Sequence, residues 1–403
     1  MKEKRGFRFT LYWKILLILA SLTGILALLS CLQPFCNFYA DHIYGVMNFL
    51  IGSVTTLCPI SVGEILMYFG ALVLILQVIF PLLLIFLRKK SGYRCFVKHF
   101  SKSVLMLFTA VLFLHAANWL VPFRAAPLKV SDSNRKTFSL EEMTTVYSGV
   151  VNQLNTIAEE LERDENGNVL YLYTEEDIIR AMQNGGGEFP RLTGRYSHMK
   201  CAICSPFLEW MGIGGFNYVF AMEPVYNKFT SPLIYPNLSA HEYSHHKGYY
   251  QEDEAVFISC VVLSRSDNPL LRYSAYYEML SYLDAAFEEA FLENQEEKYG
   301  PCPLGNGEMT EEAREWMMRY ANERAEYPFI SQRVSADFQR GYKIAQEQYE
   351  ETVSPQLEET FQETAAEVGD KGWELQAEVV KEKTYEGSTL LFLQYFLDGN
   401  GII

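Results

Sequence analysis

SAHEYSHHKGYYQEDEA, residues 239–255, gathers three of the chain's seven histidines and four carboxylates around a single glycine. On an α-helix, residues four apart lie one turn up and about 40° around, so His241 and His245 share a face. Two imidazoles so placed can bind one Zn2+, at about 2.0–2.1 Å each. Glu242 lies about 100° around from His241, beside such a metal rather than on it, where a carboxylate can take a proton from an attacking water. His246 falls on the wrong face to join the pair and reads as solvent-facing or as a partner to a ligand. Gly248 lets the helix turn. Of the acids that follow, Glu252 at the start of the next helix is the first choice for a third ligand, ahead of Glu254 and then Asp253. His-Glu-x-x-His alone is common in solvated polar helices. Here it sits on a glycine-terminated helix, after an apolar strand-like run, with acids at once behind it, and that context favours a metal site.

Working outward, the 403 residues divide sharply by charge. Residues 1–123 carry 11 of the 34 Lys and Arg but only Glu3, Asp41 and Glu64 as acids, whereas the remainder has a large acidic excess within a total of −15. An acidic surface repels phosphate backbones, so nucleic acid is excluded as a partner. The first part reads as a membrane anchor with three transmembrane helices at about 15–32, 65–87 and 104–123, each close to the roughly 20 apolar residues that cross a bilayer core. Lys2, Lys4, Arg5 and Arg8 precede the first span, and Arg88, Lys89, Lys90, Arg94, Lys98 and Lys102 follow the second. Residues 33–64 have no Lys or Arg. The positive-inside rule then puts the N-terminus in the cytoplasm and residues 124–403 outside the cytoplasmic membrane. Ile43–Cys58 reads as interfacial. A cleaved signal peptide ending near Cys31 is a poorer reading, because a leucine precedes the small residue of its cleavage box. Cys201-Ala-Ile-Cys204 has no second CxxC, which disfavours a zinc ribbon and leaves a short disulfide or two core residues.

Beyond the linker at 122–134, Ser139-Leu-Glu-Glu142 has the form of a capping box opening a helix to about Arg163. Further helices are expected at Thr174–Asn184, Asn237–Lys247, Gln251–Leu263, Asn268–Leu292, 310–326, 334–351, 356–368 and Ser388–Leu397. Phe216–Met222 has strand character. The fold class is therefore an α-helical membrane region followed by a mostly α, α+β domain at 124–403.

The order FNYVFAMEPVYN…LSAHEYSHHKGYYQEDEAVFISCVVLSRSDNPLLRYSAYYEML resembles an uncharacterised family of bacterial membrane proteins, in which N-terminal spans precede an HExxH domain. PISVGE (59–64) and EGSTLLFLQYFLDG fit it as well. More distantly, HEYSH with a following E-x-E-A resembles the zincin metallopeptidases of the gluzincin type. That resemblance implies a zincin-like fold, zinc held by His241, His245 and Glu252, and a peptide or protein substrate. It also implies an edge strand, Phe216–Met222, to which an extended substrate adds. Gluzincins carry an Asp one residue after the alanine, where Val256 stands here, and their spacing from second histidine to glutamate is longer. Among donors for the oxyanion, Arg272, Tyr273 and Tyr276 lie on about one face of a neighbouring helix. Glu223 is a candidate substrate or structural carboxylate, while His115 and Asn118 invite a weaker proton-path reading. The expected function is a membrane-anchored zinc metallopeptidase with Glu242 as general base. The alternative is a catalytically inactive zinc-binding sensory or envelope-assembly accessory protein.

Overall fold

The computed structural model describes residues 9–130, 135–303, 310–380 and 386–399. Lys2, Lys4, Arg5 and Arg8, on which part of the expected orientation rests, lie outside them, as do residues 131–134 of the linker. Among the described residues, three helices are long and apolar enough to cross a membrane: α1 (Leu11–Leu29), α4 (Val62–Leu87) and a continuous helix, Ser91–Phe123. The last comprises α5 (Ser91–His115), a π turn (Ala116–Leu120) and α6 (Val121–Phe123). Leu17, Ile18, Ile75, Phe86 and many neighbours are exposed. Apolar faces of this size are stable only against lipid or another apolar partner. Each helix starts earlier than the apolar run alone suggested. α1 ends at Leu29 rather than residue 32: the chain is extended at Leu32 (φ −106°, ψ 99°), and α2 (Gln33–His42) opens directly after it with Pro34 in its first turn.

α3 (Tyr44–Thr55) completes the segment between the first two spans. Its buried residues, Tyr44, Asn48, Gly52 and Thr55, recur at helical spacing on one face. Val46, Phe49, Leu50 and Val54 are exposed on the other. The interfacial stretch is thus a helix whose polar side meets protein and whose apolar side is bare.

The rest is mostly helical around a small sheet. α7 (Leu140–Glu160) and α8 (Glu175–Asn184) both open on capping boxes, Ser139 with Glu142 and Thr174 with Asp177. They are followed by β1 (Lys200–Cys201), α9 (Ser205–Trp210), β2 (Gly215–Tyr218) and β3 (Glu223–Tyr226). Then come α10 (Tyr235–His246), α11 (Glu252–Ser264), α12 (Pro269–Tyr299), α13 (Glu311–Arg324), α14 (Gln332–Thr352), α15 (Pro355–Val380) and α16 (Glu386–Leu397). α11 is the centre of the core. Every residue from Glu254 to Ser264 is buried, as expected for a helix apolar on all sides. α12 lies against α7, with Tyr147 stacked on Phe287 at 4.2 Å between ring centroids.

The sheet order is β1-β3-β2, with β1 parallel and β2 antiparallel to β3, so β2 is an edge strand among the described residues. Phe216–Met222 is not one strand. The chain turns after Tyr218, with the Ala221 N–H donating to the Tyr218 carbonyl at 2.9 Å and Met222 held at φ 47°. Val219 and Met222 are apolar because they pack among the helix ends, not because they extend the strand.

Contacts cross the boundary at residue 123 freely. Glu64, in the first turn of α4, accepts from the Ile203 and Cys204 N–H groups at 2.7 and 2.6 Å. The buried pair Lys200–Glu223, at 2.8 Å, is completed by the Thr55 and Ile60 carbonyls and the Val62 N–H. Asn118, in the π turn, donates to the Val219 carbonyl at 2.9 Å. Asn118 and Glu223, considered as functional groups from sequence, therefore have structural partners.

Candidate metal centre

α10 and α11 meet through a turn at Gly248, whose φ of +89° is in the left-handed region that glycine tolerates. The turn folds Glu252, the first residue of α11, back over the end of α10. His241 Nε2 and His245 Nε2 lie 3.0 Å apart. Glu252 Oε2 is 3.2 Å from the first and 3.4 Å from the second. A tetrahedral ion with bonds of about 2.0–2.1 Å sets its ligand atoms about 3.3–3.4 Å apart, close to this triangle. These three residues form a cluster that could hold a metal ion.

The surroundings prepare the triangle for that use. His245 Nδ1 lies 2.8 Å from the Tyr249 carbonyl. A proton on Nδ1 would leave Nε2 with its lone pair turned into the cluster, the arrangement by which an outer carbonyl orients a metal-binding histidine. Tyr250 stacks on the His245 ring at 6.0 Å. Burial disfavours charge on His245, but Glu252 overrides it and raises the His245 pKa to about 9. Glu252 is held well below the ordinary carboxylate range despite burial, chiefly by His245.

Glu242 is 4 % exposed, and its Oε2 has no hydrogen-bond partner. Burial pushes its pKa above the usual carboxylate value, while His241 and His245 pull against the rise. A buried carboxyl with an unpartnered oxygen beside three groups that could hold a metal ion is costly to fold, and a pKa raised by burial suits it to proton transfer. Its place is kept by the edge strand. A Cβ at Gly215 of β2 would stand 2.6 Å from Glu242 Oε1.

The other sequence candidates lie elsewhere. Glu254 accepts from the Leu128 N–H at 2.6 Å and is not part of the cluster. His246 is fully buried, not solvent-facing, with Nε2 accepting from the Ser197 N–H at 3.3 Å. The loop before β1 and the Tyr44–Thr55 helix cover it. His198 is exposed and lies 3.0 Å from Glu175. Arg272 is bound to Glu160 and to the Ser266 carbonyl. Tyr273 is buried and donates to Asp337 at 3.0 Å. Their place in α12 faces them toward α7 and α14, so neither supplies a donor to the cluster. Tyr276 is buried in the same core. Cys201 and Cys204 are free thiols.

Some neighbours escaped the sequence reading. Glu278 of α12 is close enough to His241 for the imidazole to draw down a pKa that burial otherwise raises. Asn217 is buried with both side-chain polar atoms unpartnered. Strand alternation puts it on the face of β2 that carries Gly215. Tyr44 of α3 donates to the His246 carbonyl at 3.1 Å and meets the Tyr250 hydroxyl at 2.9 Å, while Asn48 donates to the same carbonyl. The sequence signal was the polar spacing of 44, 48, 52 and 55 within an apolar stretch.

The family described as "Protein of unknown function (DUF3810)" matches residues 39–326, over two thirds of the chain and including α3, the sheet, α10 and α11. No curated protein and no solved structure matches.

Proposed function

The chain belongs to the family described as Protein of unknown function (DUF3810), and for this member we propose a zinc-dependent metallopeptidase anchored in the cytoplasmic membrane. The observation that carries the reading is the convergence of His241, His245 and Glu252 beside the buried carboxyl of Glu242, whose Oε2 has no partner. His241, His245 and Glu252 would hold the ion, leaving a position for water or substrate. Zinc, when bound, supplies a Lewis acid for the scissile carbonyl and makes a water more acidic. Glu242 takes the proton of the attacking water and returns it to the leaving amine. β2 offers its free edge to an extended peptide, which aligns the bond to be cut with Glu242. On this reading the fold is zincin-like, the N-terminus is inside, and the domain bearing α10 is outside the cytoplasm.

The test is zinc content and cleavage by the full-length protein in nanodiscs. Wild type is expected to carry about one zinc per chain, lost in His245→Ala. Glu242→Gln is expected to keep its zinc while turnover of a peptide library falls by about 10²–10⁴-fold. Zinc without any Glu242-dependent cleavage would favour a binding or sensory domain. Absence of zinc from folded wild type would remove the metallopeptidase reading.

A further inference from the structure

α3 places the metal helix against the bilayer. Its exposed residues, Val46, Phe49, Leu50, Val54 and then Leu57, form an apolar face at helical spacing. The opposite face holds the last carbonyls of α10 through Tyr44 and Asn48. A helix between two spans with a bare apolar face lies in the membrane interface, with that face toward the acyl chains. Tyr44 and Asn48 reach across α3 to those carbonyls, so the end of α10 that carries His245 lies within about one helix diameter, about 10–12 Å, of that apolar face.

A second set of contacts ties the site to the ends of the spans. The β2–β3 turn is seated among the span ends. Phe220 stacks on His115 at 6.2 Å, Val219 is bonded to Asn118, and Tyr218 lies over Gly63 at the start of α4. His115 is eight residues before the end of the third candidate span at Phe123, or about 12 Å below it along the helix axis. From that turn β2 runs to Gly215, beside Glu242, over about 10 Å, which brings the site to about the level of the span's end. Ile203, hung from Glu64 by its N–H, and Phe216, on the outer face of β2, leave further apolar surface beside the outer end of α4.

We propose that the substrate is a membrane-anchored polypeptide, cut in the extended segment that first emerges from the bilayer. The proposal rests on the peptidase reading and adds the substrate class. A site no more than about 10–20 Å from the lipid is met by an emerging chain within about three to six extended residues. A scissile bond there reaches Glu242 while its own transmembrane helix lies beside α3 and α4.

Full-length protein in vesicles of phosphatidylethanolamine and phosphatidylglycerol would be given three pools of one randomised peptide segment. In the first the segment directly follows a single transmembrane helix, in the second a long flexible Gly/Ser spacer intervenes, and the third is free peptide. New N-termini are read by mass spectrometry, with Glu242→Gln as control. Both tethered pools share the gain in local concentration, so their difference reports height alone. The expected result is at least tenfold more Glu242-dependent product from the directly joined pool, with cuts clustered in the first six or so residues. Equal cutting of joined and spaced pools would overturn the inference and leave the peptidase reading standing. No Glu242-dependent cutting in any pool would overturn the peptidase reading, and this inference with it.

Discussion

Gly215 shows how narrowly the chemistry is framed at the scale of single residues. Any side chain there enters the space of the Glu242 carboxyl, and on the proposed reading a base displaced by about 1 Å costs catalysis of the order of 10²-fold. Gly215→Ala is therefore expected to retain zinc and lose about 10²-fold in turnover, measured as metal content beside kcat/KM. Tyr44 acts at one remove. Through the Tyr250 hydroxyl and the His245 and His246 carbonyls it fixes the frame of a ligand without touching the cluster. Groups of this kind are worth about 10–100-fold in metal affinity, and Tyr44→Phe should weaken zinc by about tenfold in a chelator competition. The two histidines, Glu242 and Glu252 were legible in the sequence because one helical turn and one glycine fix their relation. Gly215, Glu278 and Tyr44 were not, since no local spacing says which distant residue will face a helix.

At the scale of elements, the buried pair Lys200–Glu223 pins the sheet to the start of α4. Removing one partner leaves the other charge buried and alone, a loss of about 3–5 kcal/mol. Lys200→Met should therefore lower the thermal midpoint strongly. Adding Glu223→Gln should recover much of the loss, and a melt of the three variants in nanodiscs checks both statements. A capping box announced α7, since its hydrogen bonds are local. The run FNYVFAM misled because burial of a turn among span ends and burial of a strand in a sheet call for the same apolar residues. The bare face of α3 had the opposite fate. Its apolar residues are legible in the sequence, but its polar face gains a meaning only when α10 is known to lie behind it.

Taken whole, the molecule does not divide where its composition does. Charge and hydropathy part it at residue 123, yet Val219, Met222 and Tyr250 share a buried cluster with Cys36, Tyr39, Tyr44, Ala117 and Val121. A fragment of residues 124–403 would expose that cluster and strip α10 of Tyr44 and Asn48. Expressed alone it is expected to aggregate, or to elute without zinc. Co-expression with residues 1–123 should restore both solubility in mild detergent and metal, as read by size exclusion with metal analysis. Nothing local in the sequence could reveal this union, because its contacts join residues about two hundred positions apart.

That separation also sets a timetable. Tyr44 and its partner at His246 are 202 residues apart, and at ordinary synthesis rates of about 5–20 residues per second the first waits roughly ten to forty seconds for the second to be made. During that interval two further apolar helices must find the bilayer. On the proposed reading, a nascent copy therefore passes through the insertion machinery, among other freshly inserted chains, before its own blade has been forged. Only a copy whose first two spans have been threaded can arm itself.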